Sequence, residues 1–386
     1  MALHPLVGHQ EVRTALARAH RADTLPASLL LYGAQGVGKQ HLALWLARLT
    51  VCEDPGDGPC DRCGPCRMAL SLEHPDIHWY FPLARPKGVS GDRLADALER
   101  ARYEELSEIR AEPLRPSWSS EVRAIYLGAV KSIRATASKR PTMAEGPVFI
   151  IGQAETLVPQ EASQEAANAL LKLLEEPPGA TRLILTSSEP GLLLPTIRSR
   201  TVPLHVPSLS YEDVRGILEE RGGLESKVAD WAARLGQGSP GRALAFLPDG
   251  DELGPLEKMR RRAYEIVVAA MAKSPAAGYQ VAISFPPAGA RSLLELFSFV
   301  EEWLRDLAAV AAGADNSVFN HDGATRLRGH VDSTHMSAIS IVDAFAHVER
   351  ARELARGNVN PQLVVSGLIR DLRSVLTPSS HAMSER

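Results

Sequence analysis

Gly33-Ala34-Gln35-Gly36-Val37-Gly38-Lys39-Gln40 lies between an apolar run, Ser28-Leu29-Leu30-Leu31-Tyr32, and a segment whose Leu42, Trp45, Leu46 and Leu49 recur at helical spacing. A strand, a glycine-rich loop and a helix in that order form a cradle whose backbone N–H groups wrap nucleotide phosphates. In the pattern G-x-x-x-x-G-K-[ST] the lysine reaches the terminal phosphates and the closing hydroxyl holds Mg²⁺. Gly33, Gly36, Gly38 and Lys39 keep the cradle, but the amide of Gln40 stands where the hydroxyl belongs. A loop with its lysine and without its metal ligand points to an ATPase scaffold put to non-catalytic use.

Outward from the loop, the chain alternates strands and helices. Val148-Phe149-Ile150-Ile151 reads as a second buried strand. A helix follows through Ala166, Leu170, Leu171, Leu173 and Leu174, stopped by Pro177-Pro178, and Leu183-Ile184-Leu185 gives a third strand. Such alternation implies an α/β parallel sheet. Residues 84–122 are charge-rich, with a solvated helix expected over Asp92–Arg110 and ended by Pro113, Pro116 and Trp118. Strand signals stop after about residue 207. Tyr211 to Leu247 reads as a small helical unit, and the Pro/Gly/Asp-rich stretch 247–255 separates it from a last helical region. There Leu293, Phe297, Val300, Leu304 and Leu307 share one face, as do Ile341, Phe345, Val348 and Leu354. Asn360-Pro361 caps one more helix, with Leu368 and Leu372.

Composition narrows the function classes. The chain has 386 residues, 45% of them hydrophobic and 23% charged, enough for two or three domains with sizeable cores. A net charge of −3 gives no global attraction to DNA or a membrane surface, so any nucleic-acid contact must be a local patch. No run approaches the roughly 20 apolar residues needed to span a bilayer, and the N-terminus has no signal-peptide pattern. A cytoplasmic protein is expected.

All four cysteines, Cys52, Cys60, Cys63 and Cys66, fall in one C-x₇-C-x₂-C-x₂-C cluster. Four soft thiolates on a tight knuckle suit tetrahedral Zn²⁺ in a closed, structural site, with glycines and prolines supplying the bends. An iron–sulfur cluster and a dithiol redox centre are the competing readings, and the ferredoxin run C-x₂-C-x₂-C-x₃-C-P is absent. His74 and His78 are surplus to a four-thiolate site and read as surface or packing residues.

The acids that should end the second strand, one for Mg²⁺ and one for water, appear as Gly152 and Gln153. Glu155 stands too far along to replace them and reads as a solvated helix-start acid. The stretches Leu6-Val-Gly-His-Gln10, 33–40, the cysteine knuckle, His74-Pro75-Asp76, Asn168 to Pro178, Arg198-Ser-Arg-Thr201, Gly238-Ser-Pro-Gly241 and Gly357-Asn-Val-Asn-Pro361 occur in order along nearly the whole chain. In this the chain resembles the AAA+ clamp-loader subunits of bacterial DNA polymerase III.

That resemblance implies an α/β AAA+ core with a zinc knuckle over residues 1–207, an all-α lid over 208–249 and an all-α collar over 255–378. It implies assembly with motor subunits and the delta subunit in a hetero-pentamer that acts on a sliding clamp and primer–template DNA, without a membrane. Motor subunits carry a lid arginine that senses the γ-phosphate. Here Gly241 holds that position and Arg242 is displaced by one, a third missing part, so no intrinsic ATPase activity is expected. Lys39 is retained, which leaves room for weak phosphate or nucleotide binding, with ATP or ADP doubtful as a resident of the chain's own site. Ser199-Arg200-Thr201 stands where the family carries Ser-Arg-Cys, with threonine replacing cysteine. That motif's arginine reaches into a neighbour's ATP site, which makes Arg200 a candidate finger in trans, the alternative being a surface arginine in a strand-edge loop. Glu175 and Glu176 sit at a helix C-terminus, where the macrodipole disfavours acids, either screened by solvent or facing a basic partner. Lys131, Arg134, Lys139 and Arg140 are either a solvated face or a contact to DNA phosphates. The alternatives to a non-hydrolysing stator are an ATP-hydrolysing motor subunit and a zinc-dependent nucleic-acid module.

Overall fold

The computed structural model describes residues 5–89, 93–114, 123–157, 165–334, 336, 338–357 and 359–377. It divides into two compact units, Met1–Leu244 and Ala245–Arg386.

The first unit opens with α1 (Gln10–Arg21), β1 (Ser28–Tyr32) and α2 (Lys39–Thr50), so the quoted loop joins a strand to a helix as its sequence requires. Then come α3 (Gly64–Leu70), β2 (Ile77–Tyr80), β3 (Leu83–Ala84), α4 (Arg93–Ala111), β4 (Arg123–Ala124) and α5 (Leu127–Ala137). β5 (Val148–Ile151), α6 (Glu165–Glu175), β6 (Arg182–Ser187), α7 (Pro195–Arg198) and β7 (Val202–His205) complete the core. Five strands form one parallel sheet in the order β2-β5-β6-β1-β7, while β3 and β4 pair separately as an antiparallel ribbon. β5 and β6 match the strands expected around Val148 and Leu183. β2, β7 and the β3–β4 ribbon lie outside the expected set.

Strand alternation divides the core between the two faces of the sheet. Leu29 and Leu31 of β1 join Leu42, Trp45, Leu46 and Leu49 of α2 on one face, together with Val148 and Ile150. Leu30 turns the other way and packs with Phe149, Ile151, Leu183 and Leu185 against Ile133 of α5 and Leu170 of α6. With both faces covered, the central strands carry unbroken apolar runs, as parallel sheets do. After β7 come α8 (Tyr211–Glu220) and α9 (Ser226–Gly236). α10 (Pro240–Phe246) begins in this unit and runs through its boundary.

The second unit is helical among its described residues: α11 (Pro255–Met271), α12 (Pro275–Ile283), α13 (Leu293–Ala311), α14 (Ala324–Thr334), α15 (Ala338–Arg356) and α16 (Pro361–Leu376). Leu293, Phe297, Val300, Leu304 and Leu307 are buried along α13, as their spacing predicts. The expected α15 face needs correction. Ile341 and Val348 are buried, but Leu354 is 44% exposed, and the seam is completed by Ala344, Ala351 and Ala355. α15 packs against both α13 and α16, and small residues let the three helices approach. A buried polar network holds this unit. Arg260 pairs with Glu257 at 2.7 Å and with Asp322 at 2.7 Å, and Asp306 accepts from the Phe319 and Asn320 N–H groups, each at 2.9 Å.

Candidate functional site

Gly33, Gly36, Gly38 and Lys39 lie together at the C-terminal end of β1 and the start of α2, where the sheet order places the loop between β6 and β7. The glycines are there for steric reasons. A Cβ on Gly33 would stand 2.2 Å from the Val206 carbonyl oxygen, and Gly36 and Gly38 have φ of +77° and +100°. The lysine does not project outward. Its Nζ donates to Gly33 O at 2.9 Å, Ala34 O at 2.7 Å and Ser188 Oγ at 2.9 Å, and the residue is 7% exposed. Burial pulls the ammonium down to about 8, against a smaller opposing effect of Glu155.

The next three carbonyls of the loop are also held from within. Ser239 Oγ donates to Gln35 O at 2.8 Å, Gly241 N to Gly36 O at 3.0 Å, and His9 Nε2 to Val37 O at 2.9 Å. Burial lowers the His9 pKa, which favours the neutral ring with its proton on Nε2. The α10 end lies directly on the loop. A Cβ added to Gly36 would meet Ser239 Oγ at 2.4 Å, and one on Gly241 would meet Gly36 Cα at 2.9 Å. Arg242, the displaced sensor candidate, turns back to donate from Nε to Leu235 O at 3.2 Å. Every carbonyl from Gly33 to Val37 therefore has an internal donor, two of them from a segment about 200 residues away.

Gln40 packs against Gly152 and Trp79. Its Oε1 accepts from Trp79 Nε1 at 3.0 Å, and a Cβ on Gly152 would lie 2.8 Å from the same oxygen. Positions 40 and 152, where the sequence lacks the expected hydroxyl and acid, are thus neighbours in the packing. Glu155 corrects the expectation of a solvated acid. It lies on the single 3₁₀ turn Ala154–Leu157, is half-buried, and its Oε1 accepts from Ser188 N at 3.0 Å. That bond fixes Ser188, which in turn accepts from Lys39.

The Sγ atoms of Cys52, Cys60, Cys63 and Cys66 all lie within 4.8 Å of one another, and none is in a disulfide. A tetrahedral zinc site with Zn–S of about 2.3 Å has sulfur–sulfur edges of about 3.8 Å, so this set fits one ion with little adjustment. Backbone N–H groups already point at the sulfurs, Cys60 N to Cys52 Sγ at 3.2 Å and Cys63 N to Cys60 Sγ at 3.4 Å. Hydrogen bonds from the Arg62 and Cys63 N–H groups hold the Cys60 thiol down to about 6, whereas burial pushes the Cys52 and Cys66 thiols up. Buried Arg48 stands by the cluster, paired to Asp61 at 2.8 Å. His74 is a buried packing residue whose Nδ1 accepts from Asp76 N, and His78 stacks on Phe149. Neither belongs to the cysteine cluster.

Arg200 follows α7 and keeps 34% of its side-chain surface. It pairs with Glu175 at 2.7 Å and donates to Thr196 O at 3.0 Å. Glu175 is thus bound within the chain, not merely screened by water. Lys131 and Arg134 stand one turn apart on the exposed face of α5, and Lys139 and Arg140 follow, also exposed. The pairings of Ser239, Ser188, Glu155 and Glu175 carry no local signal in the sequence, because each joins segments that only the tertiary fold brings together.

The sequence signature of the family described as "DNA polymerase III, delta subunit" matches residues 8–210, more than half of the chain. The chain belongs to that family. Its relatives include the DNA polymerase III subunit delta' of Pseudomonas aeruginosa, 34% identical over 179 residues, or 46% of this chain and 42% of that protein. The delta' subunits of Bacillus subtilis and Escherichia coli are each 29% identical, covering 55% and 60% of this chain and 50% and 57% of theirs. The matched stretch thus spans about half the length of these curated relatives. The family assignment accords with the α/β parallel-sheet core, its four-cysteine cluster and the helical second unit. Among the described residues, no helix is long and apolar enough to cross a membrane.

Proposed function

We propose that this chain is a non-hydrolysing stator subunit of a DNA polymerase III clamp loader, cytoplasmic like the replication machinery it serves. In this reading it holds the motor and delta subunits in a hetero-pentamer. It supplies Arg200 to a neighbour's ATP and helps load a sliding clamp on primed DNA. The observation that carries the reading is the state of its own phosphate loop. Lys39, the group that would meet the terminal phosphates, is bound to Gly33 O, Ala34 O and Ser188 Oγ, and the lid end is bonded to the loop. Gln40 and Gly152, where the expected hydroxyl and acid are missing, pack against each other. Arg200, by contrast, stays accessible. A guanidinium near a γ-phosphate stabilises the charge that spreads over its oxygens in the transition state, so the chain would act by electrostatics on chemistry it does not itself perform.

The same reading divides the chain into a core over 1–207, a lid over 208–249 and a collar over 255–378. It gives the four cysteines a structural zinc ion, with all four positions taken by thiolate and none left for catalysis. It makes Lys131, Arg134, Lys139 and Arg140 a contact to DNA phosphates. The test is reconstitution with motor subunits, delta and clamp. The wild-type chain alone should show no ATP turnover, and Arg200→Ala should lower turnover at the neighbouring site it faces by about 10³-fold or more, the order a finger contributes, so that the complex loses that site's share. Robust turnover by the isolated chain would overturn the stator reading, and an unchanged rate in the Arg200→Ala complex would remove the finger.

A further inference from the structure

Glu175 is the last residue of α6, a position where the helix macrodipole works against a carboxylate. The fold brings it to Arg200, with Oε1 2.7 Å from Nη2. The other terminal nitrogen, Nη1, donates to Thr196 O at 3.0 Å and reaches Ser199 Oγ at 3.4 Å. Thr196 belongs to the short α7, so its carbonyl is one of those that a helix end leaves without an intrahelical partner. Acceptors from two separate elements therefore grip the guanidinium, while the side chains of Arg200 and Glu175 keep 34% and 46% of their surface.

We propose that Glu175 is a positioning residue for Arg200: its carboxylate holds the guanidinium in one orientation for delivery to a neighbouring subunit's triphosphate. The inference rests on the reading of Arg200 as a finger in trans. An unrestrained arginine loses rotamer freedom when it is ordered, and a group oriented beforehand avoids that loss at the reacting centre. A half-exposed ion pair is a weak restraint, so the effect is modest and falls on the catalytic step, not on nucleotide affinity. Glu175 touches no phosphate and acts only through Arg200.

The experiment is a double-mutant cycle in the reconstituted complex, with assembly checked by gel filtration and Glu176→Gln as the neighbouring control. Glu175→Gln, which keeps the shape and an acceptor but removes the charge, should lower kcat for ATP about two- to fivefold with KM within about twofold. Glu175→Ala should lower it further, and neither change should matter once Arg200 is alanine. Unchanged turnover in Glu175→Gln and Glu175→Ala overturns the proposal while leaving the finger in place. A rise in turnover overturns it too, because the carboxylate would then be restraining the arginine from its target. A fall that persists in the Arg200→Ala background assigns Glu175 another role and also overturns it. If Arg200→Ala alone leaves turnover unchanged, the finger reading itself has failed, and this inference falls with it.

Discussion

Replacing Lys39 with methionine separates a phosphate-binding lysine from one that clasps its own loop. In the folded chain Lys39 titrates at about 8 because it is buried, whereas an unfolded chain gives lysine its ordinary value near 10.5. Between those values the unfolded chain holds a proton that the native chain has released, so raising the pH favours the native state. The gap of about 2.5 corresponds to about 3.4 kcal/mol at roughly 1.36 kcal/mol per pH unit, absent below pH 8 and fully recovered only above pH 10.5. Between pH 7 and pH 9.5 the wild type should gain about 2 kcal/mol relative to Lys39→Met, which cannot titrate. Urea unfolding followed by tryptophan fluorescence reads this directly, since Trp45 and Trp79 are buried in the same unit as the loop. Taking the difference between the two proteins cancels every other group that titrates in that range. A difference flat to within about 0.5 kcal/mol from pH 7 to 9.5 would refute the buried-clasp reasoning, because a solvated lysine waiting for phosphate has no such window.

Four further outcomes are expected. Purified chain should carry one zinc ion by plasma mass spectrometry, and Cys63→Ser should lose it and melt at lower temperature in its first unit. Gly36→Ala should cost about 2 kcal/mol or more in urea unfolding, since its Cβ would meet Ser239 Oγ at 2.4 Å at a φ of +77°. Gly56→Ala, with nothing within 4 Å, should stay within about 0.5 kcal/mol. Asp306→Ala should destabilise the second unit by about 3 kcal/mol, because a fully buried carboxylate that accepts from Phe319 N, Asn320 N and Asn320 Nδ2 leaves those donors unpaired. In the reconstituted complex, joint Lys131→Glu and Arg134→Glu substitution should reduce the salt slope of DNA stimulation by about 1 to 2, and an unchanged slope removes the proposed phosphate contact.

What could be read from the sequence depended on how locally each feature is determined. β5 was legible because Val148-Phe-Ile-Ile151 is an unbroken apolar run in the middle of a covered sheet, and the loop at 33–40 because its glycines meet a local steric need. β2 and β7 were not, since both are edge strands. His78 interrupts the first, and Pro203 sits in the second, where an edge needs no inward N–H from every residue. The α15 seam was misread because alanines, not the larger Phe345 and Leu354, face the neighbouring helices. Tertiary pairings were out of reach altogether. Nothing near Glu155 in the chain announces Ser188, and nothing near Glu175 announces Arg200. Ser239 and Gly36 meet only because the segment before α10 returns to the loop.

These long-range pairings also change what the broken loop means. Read one position at a time, Gln40 and Gly152 are two lost catalytic groups. In the fold they depend on each other. An aspartate at 152 would place its Cβ 2.8 Å from Gln40 Oε1, and a threonine at 40 would be too short to replace that oxygen as the acceptor for buried Trp79 Nε1. Lys39 is tied to Ser188, and Ser188 to Glu155, so the loop lysine is committed to contacts within the fold. A threonine at 40 would leave Trp79 Nε1 without this acceptor, at a cost of order 1–3 kcal/mol for a buried polar group left unpaired. Arg200 differs in kind: a carboxylate and a helix-end carbonyl orient its guanidinium while it keeps 34% of its side-chain surface.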